Sequence, residues 1–180
     1  MFDTKEALDA TDSTDFRVIY DNLMPVLFKV AYNIVKIEDI AEDLCHDSLI
    51  KMVEKEMQFP SLNDAKFWLI RVVKNAALNK VKRKTRERKA YARAFKEDTR
   101  TTDTGEEVLL KSETSEIVDK ALDLLPEKLK IVLQLKEYGD LNYKEIGRIL
   151  GISEGNVKVR VFRAREKLSQ LIGVSDVYMS

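Results

Sequence analysis

Apolar residues recur along this chain in steps of three and four, and the breaks in that rhythm divide it into helices. Phe16, Ile19, Leu23, Val26, Leu27, Val30 and Ile34 share one face of a helix over about 14–35, with Pro25 inside it where a kink is expected. A second helix runs from Glu38 to Lys55. Its inward positions are Ala41, Leu44, Cys45, Ser48, Leu49 and Met52, and its outward face carries Glu38, Asp39, Glu42, Asp43 and Asp47. A break from Met57 to Asn63 follows, in which Ser61 and Asp64 resemble a capping box. The third helix, 64–84, buries Ala65, Leu69, Val72, Val73 and Ala76. Its opposite face holds Phe67, Arg71, Lys74, Leu78 and Lys82, flanked by Trp68 and Asn75, and helix continues through a basic run from Lys80 to Arg93. The Thr-rich stretch 97–105 lacks large apolar residues and predicts a flexible linker. Helical spacing resumes near Ser112 or Ser115 with Ile117, Val118, Ala121, Leu122 and Leu125. Pro126 fits the first position of the next helix, whose core is Leu129, Val132, Leu133 and Leu135.

The most structured signal lies from Asn142 to Leu168. Asn142 and Glu145 have the spacing of a capping box, Ile146, Ile149 and Leu150 form a stripe, Gly151 suits a left-handed helix end, and Ser153 suits the next N-cap. The following helix puts Val157, Val161, Ala164 and Leu168 on one face and Gly155, Val159, Phe162 and Arg163 on the other, flanked by Asn156, Lys158, Arg160 and Arg165. A helix with an apolar back and a basic front, entered through a tight turn, suits a DNA major groove. The same pattern also suits a helical hairpin with solvated charges.

Composition supports an all-α protein: Gly and Pro number 6 and 3 in 180 residues. The lone cysteine excludes an internal disulfide and points to a reducing compartment; no apolar run is long enough for membrane insertion, and the acidic N-terminus is unlike a secretory signal, so a cytoplasmic location is expected. The 31 basic and 31 acidic residues cancel but are segregated. From Lys66 to Lys96 the only acid is Glu87, whereas residues 1–65 are dominated by Asp and Glu. Such segregation suits two partners, nucleic acid and a basic protein surface. Exposed rings among cations, as on the third helix, suit a single strand: phosphates take the cations and unstacked bases take the rings. For Phe67 and Trp68, packing on a neighbouring helix is the competing explanation. No phosphate-binding Gly-rich turn and no nucleophile with a base partner is present, and there is one His, so neither catalysis nor a cofactor is expected. Cys45 and His46 are adjacent on a helix and do not face each other, so no metal is expected and Cys45 is read as buried.

In this order the segments resemble bacterial sigma factors of the sigma-70 family, extracytoplasmic-function (ECF) type, over roughly 14–172. AEDLCHDSLIKMVEK resembles the core-binding helix, FWLIRVVKNAALNKVKR the promoter-melting helix, and 125–168 nearly the whole second domain. The resemblance implies two small helical domains joined by a flexible linker: 1–96 as region 2, 97–115 as linker, 116–172 as region 4 with the helix-turn-helix, and 173–180 as a tail. It implies that Asp39, Glu42, Asp43, Asp47 and Leu49 dock on the coiled coil of the polymerase core's largest subunit. Phe59, Ser61, Asn63, Lys66, Phe67, Trp68, Arg71, Lys74, Asn75 and Lys82 would hold the melted minus-ten element. Ser153, Asn156, Lys158, Val159, Arg160, Phe162, Arg163 and Arg165 would bind the duplex minus-thirty-five element. Further implied partners are the flap of the second-largest subunit and an anti-sigma factor. Departures from the family pattern are Val159 for a usual Ser, Asn156 for Thr, Asn79 for Asp, His46 for Gln and Cys45 for an aliphatic residue. A stand-alone helix-turn-helix regulator, or a relative that only titrates partners, remain as rival readings at this point.

Overall fold

Asp12 starts the first helix: its carboxylate accepts the backbone N–H groups of Thr14 (2.9 Å) and Asp15 (3.0 Å). The computed structural model describes residues 7–95 and 113–178. Helix α1 (Ser13–Val35) runs through Pro25 without interruption and ends at Lys36, which adopts a left-handed conformation (φ 59°). Helix α2 (Glu38–Glu54) follows, and then a turn through Glu56 (φ 48°). The break at 57–63 holds something the sequence did not suggest. Gln58–Phe59 (β2) pairs antiparallel with Leu8–Asp9 (β1), Leu8 opposite Phe59, and the N–H of Ala10 donates to the Met57 carbonyl (2.9 Å). Leu8, Ala10 and Phe59 are all buried, so Leu8–Ala10 form a strap over the loop.

Helix α3 (Leu62–Phe95) takes in both the aromatic segment and the basic run. Ser61 starts it much as expected: its hydroxyl donates to the Asp64 carboxylate (2.7 Å) and accepts the Asp64 N–H (3.3 Å). The buried positions are Ala65, Leu69, Ile70, Val73, Lys74 and Ala77; Val72 and Ala76, expected inside, are half-buried. The stripe is turned because α3 packs on two sides, against α1 and α2 and against a helix of the C-terminal half.

That half comprises α4 (Glu113–Asp123), α5 (Glu127–Tyr138), α6 (Tyr143–Leu150) and α7 (Glu154–Tyr178). Residues 97–112 of the expected linker lie outside the described residues, while 113–115 already belong to α4. Pro126 stands one place before α5, as its N-cap. The expected tail from Gly173 is a continuation of α7 as far as Tyr178. The capping box at Asn142 is present, with Asn142 accepting from the Glu145 N–H (3.0 Å) and the Glu145 carboxylate accepting from the Asn142 N–H (2.7 Å). Gly151 is left-handed (φ 68°), and Ser153 accepts the Asn156 N–H (3.3 Å). Gly147 lets the turn fold back on α6, since a Cβ there would lie 2.6 Å from the Ile152 carbonyl oxygen.

Helix α5 is the hinge of the architecture. Five consecutive residues, Ile131 to Leu135, are buried, as expected of a helix enclosed on more than one side. It packs on α7 within the C-terminal half and on α1 of the N-terminal half, while α6 packs on α3. One apolar cluster therefore runs through both halves, from Leu8 and Leu27 to Ile146 and Val161. Polar ties join the same surfaces. The Gln134 amide donates to the Asn33 carbonyl (2.6 Å), Lys36 pairs with Asp119 (2.9 Å), Lys66 reaches the Asp140 carbonyl (2.8 Å) and carboxylate (3.3 Å), and Lys82 pairs with Glu127 (3.0 Å). Of these ties Lys82–Glu127 is the exposed pair and contributes roughly 0–1 kcal/mol.

Candidate nucleic-acid and polymerase interfaces

The helix-turn-helix presents its face to solvent. Val157, Val161 and Ala164 are buried beneath α7, while Val159 and Phe162 are 48% and 68% exposed and Arg163 is exposed beside them. Two large apolar side chains thus face water next to a cation on one helix face. Ser153 and Asn156 lie at its entrance, and Lys158 is bridged to Glu154 (3.1 Å). Arg160 is half-buried at the edge, and Arg165 is turned to Glu137 (2.8 Å), whose hydrogen bond holds its guanidinium above the ordinary value. The centre of the face is thus Val159, Phe162 and Arg163.

The outer face of α3 is partly occupied. Arg71, Asn75 and Asn63 are exposed. Phe67 and Trp68 are half-buried against the apolar cluster shared with the C-terminal half, and Lys66 and Lys82 are engaged by Asp140 and Glu127. Lys74 is 8% exposed. Among the described residues no buried side-chain nitrogen lacks a partner, and Lys74 makes no side-chain hydrogen bond or ion pair with them, so its stem is covered while the ammonium reaches the surface. Burial, and then the Arg71 charge, pulls the Lys74 ammonium below its ordinary value. Phe59 is 4% exposed, lying under the strap with its ring 6.1 Å from that of Trp68.

On α2 the residues Asp39, Glu42, Asp43 and Asp47 are exposed, as expected. In steps of four, four, three and four, Asp39, Asp43, Asp47, Ile50 and Glu54 form one stripe. Ile50, at its middle, is 55% exposed and borders a notch of about 350 Å³ lined by Phe16, Tyr20, His46, Leu49, Ile50, Val53 and Glu54. Cys45 is fully buried and its thiol is pushed up to about 12, first by burial and then by Glu42. Among the described residues no group of His, Cys, Asp and Glu could hold a metal.

The sigma-70 region 2 family model matches residues 19–87, and the sigma-70 region 4 model matches 115–168. The ECF RNA polymerase sigma-E factor of Haemophilus influenzae is 32% identical over 139 residues, covering 72% of this chain and 73% of that protein. The chain belongs to the ECF sigma factors. The ECF RNA polymerase sigma factor SigE of Mycolicibacterium smegmatis is 29% identical over 147 residues, 79% of this chain and 55% of that protein. The sigma factor RpoE of Bartonella quintana, crystallised with the anti-sigma factor NepR, shares the fold, with a TM-score of 0.65 and 24% identity over 89% of this chain and 98% of that chain.

ECF sigma factors direct RNA polymerase, and sigma factors as a class are not enzymes. No helix among the described residues is long and apolar enough to cross a membrane. For this sigma factor the sequence-derived residue set needs three corrections. Leu49 is 2% exposed, at the floor of the notch; one residue step turns the chain by about 100° on a helix, which puts Ile50 on the acidic face instead. Phe59 is a core residue under β1, so it supports Trp68 and does not line an open pocket. Lys74, expected on an open face, has a covered stem. Ile50 could have been found from its place in the acid stripe; the strap, a two-residue strand, left no comparable signal.

Proposed function

We propose that this sigma factor seats on core polymerase through the acidic stripe of α2, reads the minus-thirty-five duplex through Val159, Phe162 and Arg163, and grips the melted minus-ten strand along α3. The observation that carries this is the pairing of an exposed, partly apolar helix-turn-helix face with a cationic, aromatic helix on the other half of one chain. Arg163 is placed to fork to a guanine and Phe162 or Val159 to touch a thymine methyl. Ser61 and Asn63 flank the loop that would receive an extruded base, and Arg71 and Asn75 meet the strand beside it. Lys66, Phe67 and Lys82 join them once the C-terminal half moves away. The protein contributes recognition and strand separation and no catalysis of its own; it works in the cytoplasm with polymerase. The flap of the second-largest subunit would hold the C-terminal domain. The relative crystallised with NepR supports an anti-sigma factor as a further partner.

The test is transcription in vitro with core polymerase, followed by sequencing of the 5′ ends. Start sites sharing two upstream elements are expected; absence of start-site-specific transcripts removes the proposal, and duplex binding without polymerase would favour the stand-alone regulator. The docking surface has its own check. Asp43→Lys and Ile50→Glu are expected to lower co-purification with core polymerase while leaving the melting temperature unchanged. Leu49→Ala is instead expected to destabilise the fold by about 2–5 kcal/mol, the usual range for a buried leucine. Equal polymerase retention by all three and wild type would contradict the assignment.

A further inference from the structure

We propose that the C-terminal third of α3 is a second DNA site, a phosphate-binding rail for the duplex between the two promoter elements. The single-strand face of α3 does not stop at Lys82. Arg71, Asn75, Leu78, Lys82, Arg86, Lys89 and Arg93 follow one another in steps of four, three, four, four, three and four, which keeps them in a narrow sector of one helix face. Lys82, Arg86, Lys89 and Arg93 are all exposed. The run's one acid, Glu87, is turned to another face and is neutralised by Arg83 at 2.7 Å. Arg86 and Lys89 have no ion pair among the described residues. Among the described side chains of α3 the last buried one is Ala77, and none from Lys82 to Arg93 is buried. The region 2 model ends at residue 87, and Lys89 and Arg93 lie beyond it.

Lys82 to Arg93 spans about 17 Å at 1.5 Å per residue, the rise of about five base pairs. On the proposed reading, intact duplex runs from the minus-ten element held on α3 to the minus-thirty-five element held on α7. Four cations along that path suit the phosphates of intact duplex. No ring is on this sector past Leu78 to stack on an unpaired base. The rail rests on the sigma-factor assignment of α3, but it adds a site that reads charge and not sequence.

The experiment uses the complete protein with core polymerase and measures promoter affinity against salt for wild type and the triple variant Arg86→Gln, Lys89→Gln, Arg93→Gln. Start sites and element preferences are expected to stay those of wild type, while the slope of log affinity on log salt falls by roughly 0.9 per lost contact, about 3 in all. Wild-type promoter DNA with uncharged methylphosphonate linkages just upstream of the minus-ten element is expected to give the same loss, with no change to the protein. An unchanged slope in both arms overturns the rail. So does a triple variant that no longer co-purifies with core polymerase, which would assign the surface to polymerase. Failure of the parent assignment would be separate and visible, because wild type would then initiate at no defined site.

Discussion

Replacing Phe162 and Arg163 together by alanine is expected to leave a folded chain that still joins core polymerase but no longer distinguishes minus-thirty-five sequences. Both side chains are exposed, and the core beneath them, Val157, Val161 and Ala164, is untouched. Each well-placed side chain–base contact discriminates by about 1–3 kcal/mol, roughly 5- to 150-fold. The single variants should relax selectivity at different base positions, Arg163→Ala where a guanine is preferred and Phe162→Ala where a thymine methyl is. Lys158 should matter less, since Glu154 already holds its ammonium. Run-off transcription from a library of minus-thirty-five variants reads this directly. Selectivity equal to wild type in the double variant would remove the face from the account.

The second large effect concerns strand opening. Phe67→Ala is expected to lower permanganate reactivity of the minus-ten region in the polymerase–promoter complex far more than it lowers total promoter binding, because stacking is worth about 1–3 kcal/mol per base. Lys74→Met makes a sharper case. It removes a cation from the strand-gripping face, so opening should fall as well, yet the closed free protein should become more stable by about 1 kcal/mol, since an apolar side chain in a covered site avoids a charge's desolvation. The pH dependence follows from the direction of the shift. The folded-state value of Lys74 lies below the unfolded 10.5. Between the two the unfolded chain binds more protons, and wild-type stability gains from this group as pH rises through that window. Below the window the penalty is present in full. The advantage of Lys74→Met should thus be largest near neutral pH and shrink toward pH 10.5. Melting temperatures of the two proteins across that range test it, and a variant less stable than wild type at neutral pH would contradict it.

Local chemistry was readable in the sequence and long-range chemistry was not. The Asn142–Glu145 box, Gly151 and Ser153 each act within a few residues, so spacing alone identified them. The helices fell close to their expected bounds for the same reason. The ties between the halves join residues far apart in the chain: Lys66 to Asp140 across 74 positions and Gln134 to Asn33 across 101. A polar helix face that waits for another domain carries the same residue pattern as one that stays wet, so Lys66 and Lys82 could be read as free. One sign was available. Ile131-Val132-Leu133-Gln134-Leu135 has almost no polar side, and a helix of a small domain with no wet face must be covered by something else. The strap at Leu8 escaped because a two-residue strand has no period to detect.

The closed arrangement has one geometric consequence. Elements centred near positions minus ten and minus thirty-five lie about 25 base pairs apart, about 85 Å of duplex at about 3.4 Å per step. In this structure α5 packs on α1 and α6 on α3, and Asp140 and Glu127 of the C-terminal half hold Lys66 and Lys82 of α3. If these faces read the two elements as proposed, the halves must part for both to be met. The most direct measurement is the distance between spin labels placed at Lys29→Cys on α1 and Lys167→Cys on α7, both exposed, with Cys45 too buried to react. In the free protein one short, narrow distribution is expected, and in the polymerase–promoter complex it should move outward by tens of ångströms; the same short distance in both states would contradict the account.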